Sequence, residues 1–170
     1  MNALKKCCLM LVVLSACVGC DQATKQLVRI HLPQSMTYSF WGDLVRLQHM
    51  QNPGAFLSLG ATLSDAVRFA VFTVAVALAL AVMVVGLLRK PGVTAFDIVA
   101  VSLIAGGGVG NLIDRILFHG GVTDFLNLGI GHVRTGIFNI ADVAIMIGIG
   151  MLFYRSIRSR AGLTRWHGND

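Results

Sequence analysis

The chain is dominated by long apolar runs separated by short polar segments. Phe69 to Leu88 is a run of 20 residues relieved only by Thr73 and Gly86. It is long enough to cross about 30 Å of hydrocarbon at about 1.5 Å per helical residue. Two further runs, Ala95 to about Ile116 and Ile137 to Tyr154, carry Asp97, Asn111, Asp114 and Arg115 in the one and Asn139 and Asp142 in the other. Polar groups placed there should face a cavity or another helix. The first run, Cys7 to Cys20, has 14 residues and reaches span length when Asn2 to Lys6 and Asp21 to Gln26 extend the helix and the lysines snorkel. The pattern predicts four transmembrane helices, at approximately 4–24, 69–88, 95–116 and 137–154, with segments 25–68 and 117–136 exposed on one side.

Within 25–68 the period changes. Met36 to Trp41 and Leu44 to Gln51 are β-capable runs joined at Gly42-Asp43, which reads as a hairpin. Tyr38, Phe40 and Trp41 suit a membrane interface, so a small sheet resting on the membrane surface is expected. No repeat, low-complexity tract or linker divides the chain, and residues 1–170 read as a single integral-membrane domain.

Composition supports this class. Hydrophobic residues make up 55% and charged residues 13%, against about 25% charged in an average soluble domain. The formal charge of +6 raises the question of nucleic acid, but the basic residues flank apolar spans and form no stripe interleaved with aromatics. No nucleic-acid partner is expected. Lys5 and Lys6 precede the first span, Arg89 and Lys90 separate the second and third, and Arg155, Arg158, Arg160 and Arg165 follow the fourth. This bias puts both termini and the 89–94 turn in the cytoplasm. Lys25, Arg29, Arg46, Arg68 and Arg134 fall on the opposite side and weaken it.

Several chemistries are excluded by residue type. All eight acidic residues are Asp, so the His-Glu-x-x-His zinc pair is absent. Gly-x-Ser-x-Gly is missing, and the five histidines lie outside the spans. The glycines at 106–108 and 110 are followed by no Lys-Ser/Thr and preceded by no strand, against a nucleotide loop. The four cysteines, at 7, 8, 17 and 20, offer no disulfide framework for the outer segment. Small hydrophobic packing is their plain reading. Leu14-Ser15-Ala16-Cys17 after Lys5-Lys6 also looks like a lipoprotein signal in which Cys17 would be lipidated.

Aspartate remains as the intramembrane acid–base equipment, with Asp97 and Asp21 as further members. Asp124 and Asp142, 18 positions apart, lie at or inside apolar sequence, where an ionised carboxylate is costly and usually functional. The predicted topology gathers Asn111, Arg115, Asp124, Asn139 and Asp142 at one membrane surface. Asn111 and Arg115 share a helix face, as do Asn139 and Asp142, and Gly106 and Gly110 form a small-xxx-small packing face. Two readings stand on the residues alone. Asp124 and Asp142 could share a proton and activate a water, as in aspartic proteases. Alternatively, Asp142 pairs structurally with Arg115 or Asn111, and Asp124 is a helix cap or turn residue.

Five blocks then carry a resemblance. Asp21-Gln22-Ala23-Thr24-Lys25, Asn52-Pro53-Gly54-Ala55-Phe56-Leu57-Ser58, GGGVGNLIDR at 106–115, VTDF at 122–125 and FNIAD at 138–142 appear in the order and spacing of lipoprotein signal peptidase, signal peptidase II. The resemblance implies a mainly α polytopic protein: a four-helix bundle with a small extracytoplasmic β-cradle and a short periplasmic helix, without metal or organic cofactor. It implies an aspartic endopeptidase of the bacterial inner membrane that cleaves diacylglyceryl-modified prolipoproteins just before the lipidated Cys. By motif, Asp124 and Asp142 match the catalytic pair. Asn52, Gly54, Asn111, Arg115 and Asn139 match residues lining the site, and Asp21 and Asp114 match acidic residues supporting it. Thr24 stands where Ser is usual, Phe56-Leu57 where Ala-Phe is common, and Val143 where Ser often follows the second Asp. The expected partners are prolipoprotein substrates and membrane lipids, with the chain a monomer whose active site is near the periplasmic surface. The rivals from other classes are a proton-coupled transporter or channel subunit and a non-catalytic lipoprotein processed at Cys17.

Overall fold

The computed structural model describes residues 2–54 and 59–166, with side chains through residue 159. Ala55 to Ser58, including the departures at Phe56 and Leu57, and the side chains of Arg160 and Arg165 lie outside the described residues. Among the described residues four helices are long and apolar enough to cross a membrane: α1 (Ala3–His31), α2 (Asp65–Arg89), α3 (Ala95–Leu117) and α4 (Ile140–Trp166). A four-stranded antiparallel sheet of order β1-β2-β3-β4 is built from β1 (Thr37–Phe40), β2 (Val45–Asn52), β3 (Val122–Ile130) and β4 (Val133–Arg134).

The third helix is the axis of the bundle. Of its most apolar window 67% is buried inside the protein, against 11%, 6% and 17% for α1, α2 and α4. Its glycines explain why: a Cβ on Gly106 or Gly110 would strike Cys17 or Asp21 of α1, and one on Gly107 would overlap the Ala141 carbonyl oxygen of α4. One on Gly108 would strike Leu80 of α2. Close backbone approach through small residues is how helices pack without a hydrophobic driving force. Large apolar side chains such as Leu11, Val82 and Met146 point outward, where lipid solvates them.

The first helix continues past the expected end of its span, to His31. Lys25 and Arg29 are therefore helical, and their charges are met inside the protein by Asp21 and Asp114. The other basic residues that weakened the charge bias are paired too: Arg46 and Arg134 with Asp43, and Arg68 with Asp65. At the opposite end of the bundle Thr94 and Asp97 form a capping box that starts α3, and Asp97 also pairs with Arg155. Asp97 is a structural carboxylate remote from the sheet.

The hairpin closes as the sequence suggests, with Phe40 opposite Val45 and left-handed backbone at Trp41, Gly42 and Asp43. The chain after α3 holds a strand, β3, where no alternation announced one, because Val122 to Phe125 are all buried. The single helical turn Asp65–Arg68 runs directly into α2, whose next seven residues, Phe69–Ala75, are π-helical. Such segments are rare. This one presents Phe72 beneath the Arg115 guanidinium, 5.9 Å from the ring centroid.

Candidate active site

The sheet and the bundle meet at Asp124 and Asp142. Asp124 lies in β3, opposite Met50 of β2, so it is a strand residue and neither a helix cap nor a turn. After β4 the chain returns alongside β3. The Phe138 N–H donates to Leu126 O at 2.8 Å, and the Leu126 N–H donates to Phe138 O at 2.8 Å. That bridge sets Asn139 beside Asp124 and starts α4 at Ile140. Asn139 and Asp142 then form a reciprocal cap: the Asp142 N–H donates to Asn139 Oδ1 at 3.0 Å and the Asn139 N–H donates to Asp142 Oδ2 at 3.1 Å. The second aspartate is thus fixed by the helix start itself.

Each carboxylate receives two donors. Asp124 Oδ1 accepts from Asn139 Nδ2 at 2.6 Å and its Oδ2 from Asn52 Nδ2 at 2.9 Å. Asp142 Oδ1 accepts from Asn111 Nδ2 at 2.9 Å. The three asparagines are oriented by groups that can only donate. Asn52 Oδ1 takes the Gly54 N–H at 3.0 Å, Asn139 Oδ1 takes the Asp142 N–H, and Asn111 Oδ1 takes Lys25 Nζ at 2.8 Å. Their amide nitrogens are therefore turned toward the acids.

Both aspartates line one cavity of about 30 Å³, walled also by Asn52, Gly54, Asn111 and Arg115. A water needs about 10–15 Å³ of such space and two to four polar partners. The cavity meets both conditions. Arg115 donates to Gly54 O at 3.1 Å, tying α3 to the end of β2. Burial pushes the Asp124 carboxyl up to about 6, assisted by the Asp142 charge and opposed by its hydrogen bonds and by Lys25.

Asp21 and Asp114 stand behind the cavity and hold backbone. Asp21 Oδ1 accepts the Ala141 N–H at 3.0 Å, and Asp114 Oδ2 accepts the Thr123 N–H at 2.8 Å. Each thus fixes the residue preceding one of the two aspartates. Four residues of this layer were not anticipated as site residues: Lys25, Gln22, Arg29 and Thr123. Gln22 spans Asp21, Gly110 O and Asp114, and Arg29 bonds Asp114 and Thr123. Gln22, Lys25 and Thr123 fall inside the blocks at 21–25 and 122–125, whereas Arg29 had no signal beyond its charge. The departure at Thr24 is accommodated locally, its hydroxyl donating to Cys20 O and Asp21 O at 2.9 Å. Val143 faces outward and touches none of these bonds.

Comparison with known proteins identifies the family and the fold. The family model described as Signal peptidase (SPase) II matches residues 13–158. The chain is 38% identical over 131 residues to the lipoprotein signal peptidase of Treponema pallidum, covering 74% of this chain and 70% of that protein. It is 35% identical over 160 residues to that of Desulforapulum autotrophicum, covering 92% and 94%. A solved bacterial membrane enzyme shares the fold with a TM-score of 0.79 at 25% identity, covering 90% of each chain. A four-helix membrane protein matched over most of its length in this way belongs to the signal peptidase II family.

Proposed function

We propose that the chain is an aspartic endopeptidase that removes the signal peptide from diacylglyceryl-modified prolipoproteins, cutting just before the lipidated Cys. The observation that carries this reading is the single cavity shared by Asp124 and Asp142, with room for a water between two hydrogen-bonded carboxyls. One ionised aspartate takes a proton from that water as its oxygen attacks the scissile carbonyl, while the protonated partner donates to the carbonyl oxygen. When the intermediate collapses, the C–N bond breaks. The carboxylate stays with the signal peptide and the amine with the Cys. Coupled carboxyls titrate as a pair, and the pair loses its last proton near the value of about 6 for Asp124.

Asn111 and Arg115 hold the substrate backbone or headgroup, and the bilayer presents the acyl chains. The sheet end faces the periplasm. The other end, with Lys5, Lys6, Arg89, Lys90, Arg155 and Arg158, stays in the cytoplasm of an inner-membrane protein that acts as a monomer. Cys17 is buried against Gly106 in the middle of α1, and the lipobox-like stretch is read as part of an uncleaved first span.

The test is incubation of the purified protein in bilayers with a diacylglyceryl-modified precursor and with the same precursor lacking lipid. Cleavage before the modified Cys, dependent on the lipid, is the expected result. Equal cleavage of both, or solute flux without cleavage, would contradict it.

A further inference from the structure

Lys25 does not line the cavity, yet its side chain is completely buried. Its ammonium meets Asp21 Oδ2 at 2.9 Å and Asp114 Oδ2 at 3.6 Å, which balances its charge. Its shortest contact goes elsewhere, to Asn111 Oδ1 at 2.8 Å, on an amide whose other end donates to Asp142. An ammonium has donors only, so it dictates which end of the amide it faces. Asn139 Nδ2 also reaches Asn111 Oδ1, at 3.1 Å, but that group makes its shorter bond to Asp124 at 2.6 Å. Lys25 is the stronger hold on the Asn111 amide.

We propose that Lys25 is a positioning residue for the aspartate pair, locking the Asn111 amide with its oxygen inward and its nitrogen on Asp142. The assignment rests on the aspartate-pair reading above. Without the ammonium only the longer Asn139 bond holds the amide oxygen, and in the turned amide that oxygen faces Asp142 Oδ1, acceptor against acceptor. The ionised form of the pair loses a donor, and the pair requires higher pH to ionise. The charged groups around the pair are Lys25, Asp21 and Arg29 from α1, Asp114 and Arg115 from α3, Asp124 from β3 and Asp142 from α4. Losing Lys25 removes a nearby positive charge that favours ionisation of Asp124, and acts in the same direction.

The experiment compares wild type with Lys25→Met, which keeps the side-chain length without donors, by the pH profile of cleavage of the lipidated precursor. The expected result is a profile displaced upward by about one pH unit, a tenfold change in ionised fraction, with kcat lowered and KM nearly unchanged. Adding Lys25→Met to Asn111→Ala should change kcat by less than about threefold, because the two act through one amide. Lys25→Met takes the ion partner from buried Asp21, while Asp114 keeps Arg29, so Lys25→Met with Asp21→Asn is read by the same profile. A lysine that only supports the fold would lower the amount of folded enzyme without moving the profile. An unmoved profile, or additive effects of Lys25 and Asn111, overturns the assignment. Asp142→Asn is measured alongside: an active Asp142→Asn removes the aspartate reading itself, whereas an inactive one beside an unmoved Lys25→Met profile overturns Lys25 alone.

Discussion

The Asp21 carboxylate accepts the backbone N–H of Ala141 at 3.0 Å, across 120 residues of sequence. Through this bond the first helix holds the first turn of the last, one residue before Asp142. Asp21 is also the closest ion partner of Lys25, so a single buried side chain couples the position of α4 to the orientation of the Asn111 amide.

Asp21→Ala should therefore damage both chemistry and stability. Loss of the Ala141 tether shifts Asp142, and a misplacement of about 1 Å can cost about 100-fold in rate. Breaking the buried pair with Lys25 costs about 3–5 kcal/mol. Single-turnover cleavage and thermal unfolding in bilayers measure the two effects. An unchanged kcat in this variant would mean that the tether has no part in positioning.

The glycines of α3 yield a paired prediction. Gly107→Ala drives a methyl into the Ala141 carbonyl at the start of α4 and should cost about 1–3 kcal/mol, typical of overpacking, together with most of the activity. Gly86→Ala, on a helix face with nothing within 4 Å, should leave activity unchanged and stability within about 1 kcal/mol of wild type. Equal tolerance of the two would contradict the packing described for α3 and α4.

The pH dependence follows from Asp124. Its carboxyl is raised from 3.8 to about 6, first by burial and then by the Asp142 charge, so the last proton leaves the free pair near pH 6. The monoprotonated pair is the active form, and kcat/KM should fall as pH rises through about 6. The limb in kcat should lie higher, because bound substrate excludes water. The same shift acts on folding. Between pH 3.8 and about 6 the folded state holds a proton that the unfolded chain releases, so this group's contribution to stability decreases as pH rises across that window and is constant above it. A kcat/KM flat from pH 5 to 8 would contradict the pairing.

Much of the fold was legible because hydrocarbon demands long apolar runs. Phe69 to Leu88 could be little else, and Gly42-Asp43 marked its hairpin. The clustering of Asn111, Asp124, Asn139 and Asp142 followed from placing span ends on one side. The parts that were not legible depend on partners remote in sequence. Lys25 and Arg29 looked like outer-segment charges because Asp114, which meets both, lies 85 or more residues away. The strand β3 was hidden because its first four residues are all buried, which removes the alternation that marks a strand. The π-helical turns of Phe69–Ala75 leave no mark in an unbroken apolar run.

The central claim, that Asp124 and Asp142 together activate one water, is tested most directly by single replacement of each with Asn. The measurement is cleavage of a lipidated precursor by the purified variants in bilayers, at equal amounts of inserted protein. Each replacement should lower the rate by about 10⁴-fold or more, the scale on which residues acting as one catalytic unit fail, while the protein remains inserted and folded. Cleavage within tenfold of wild type by either variant would contradict the account.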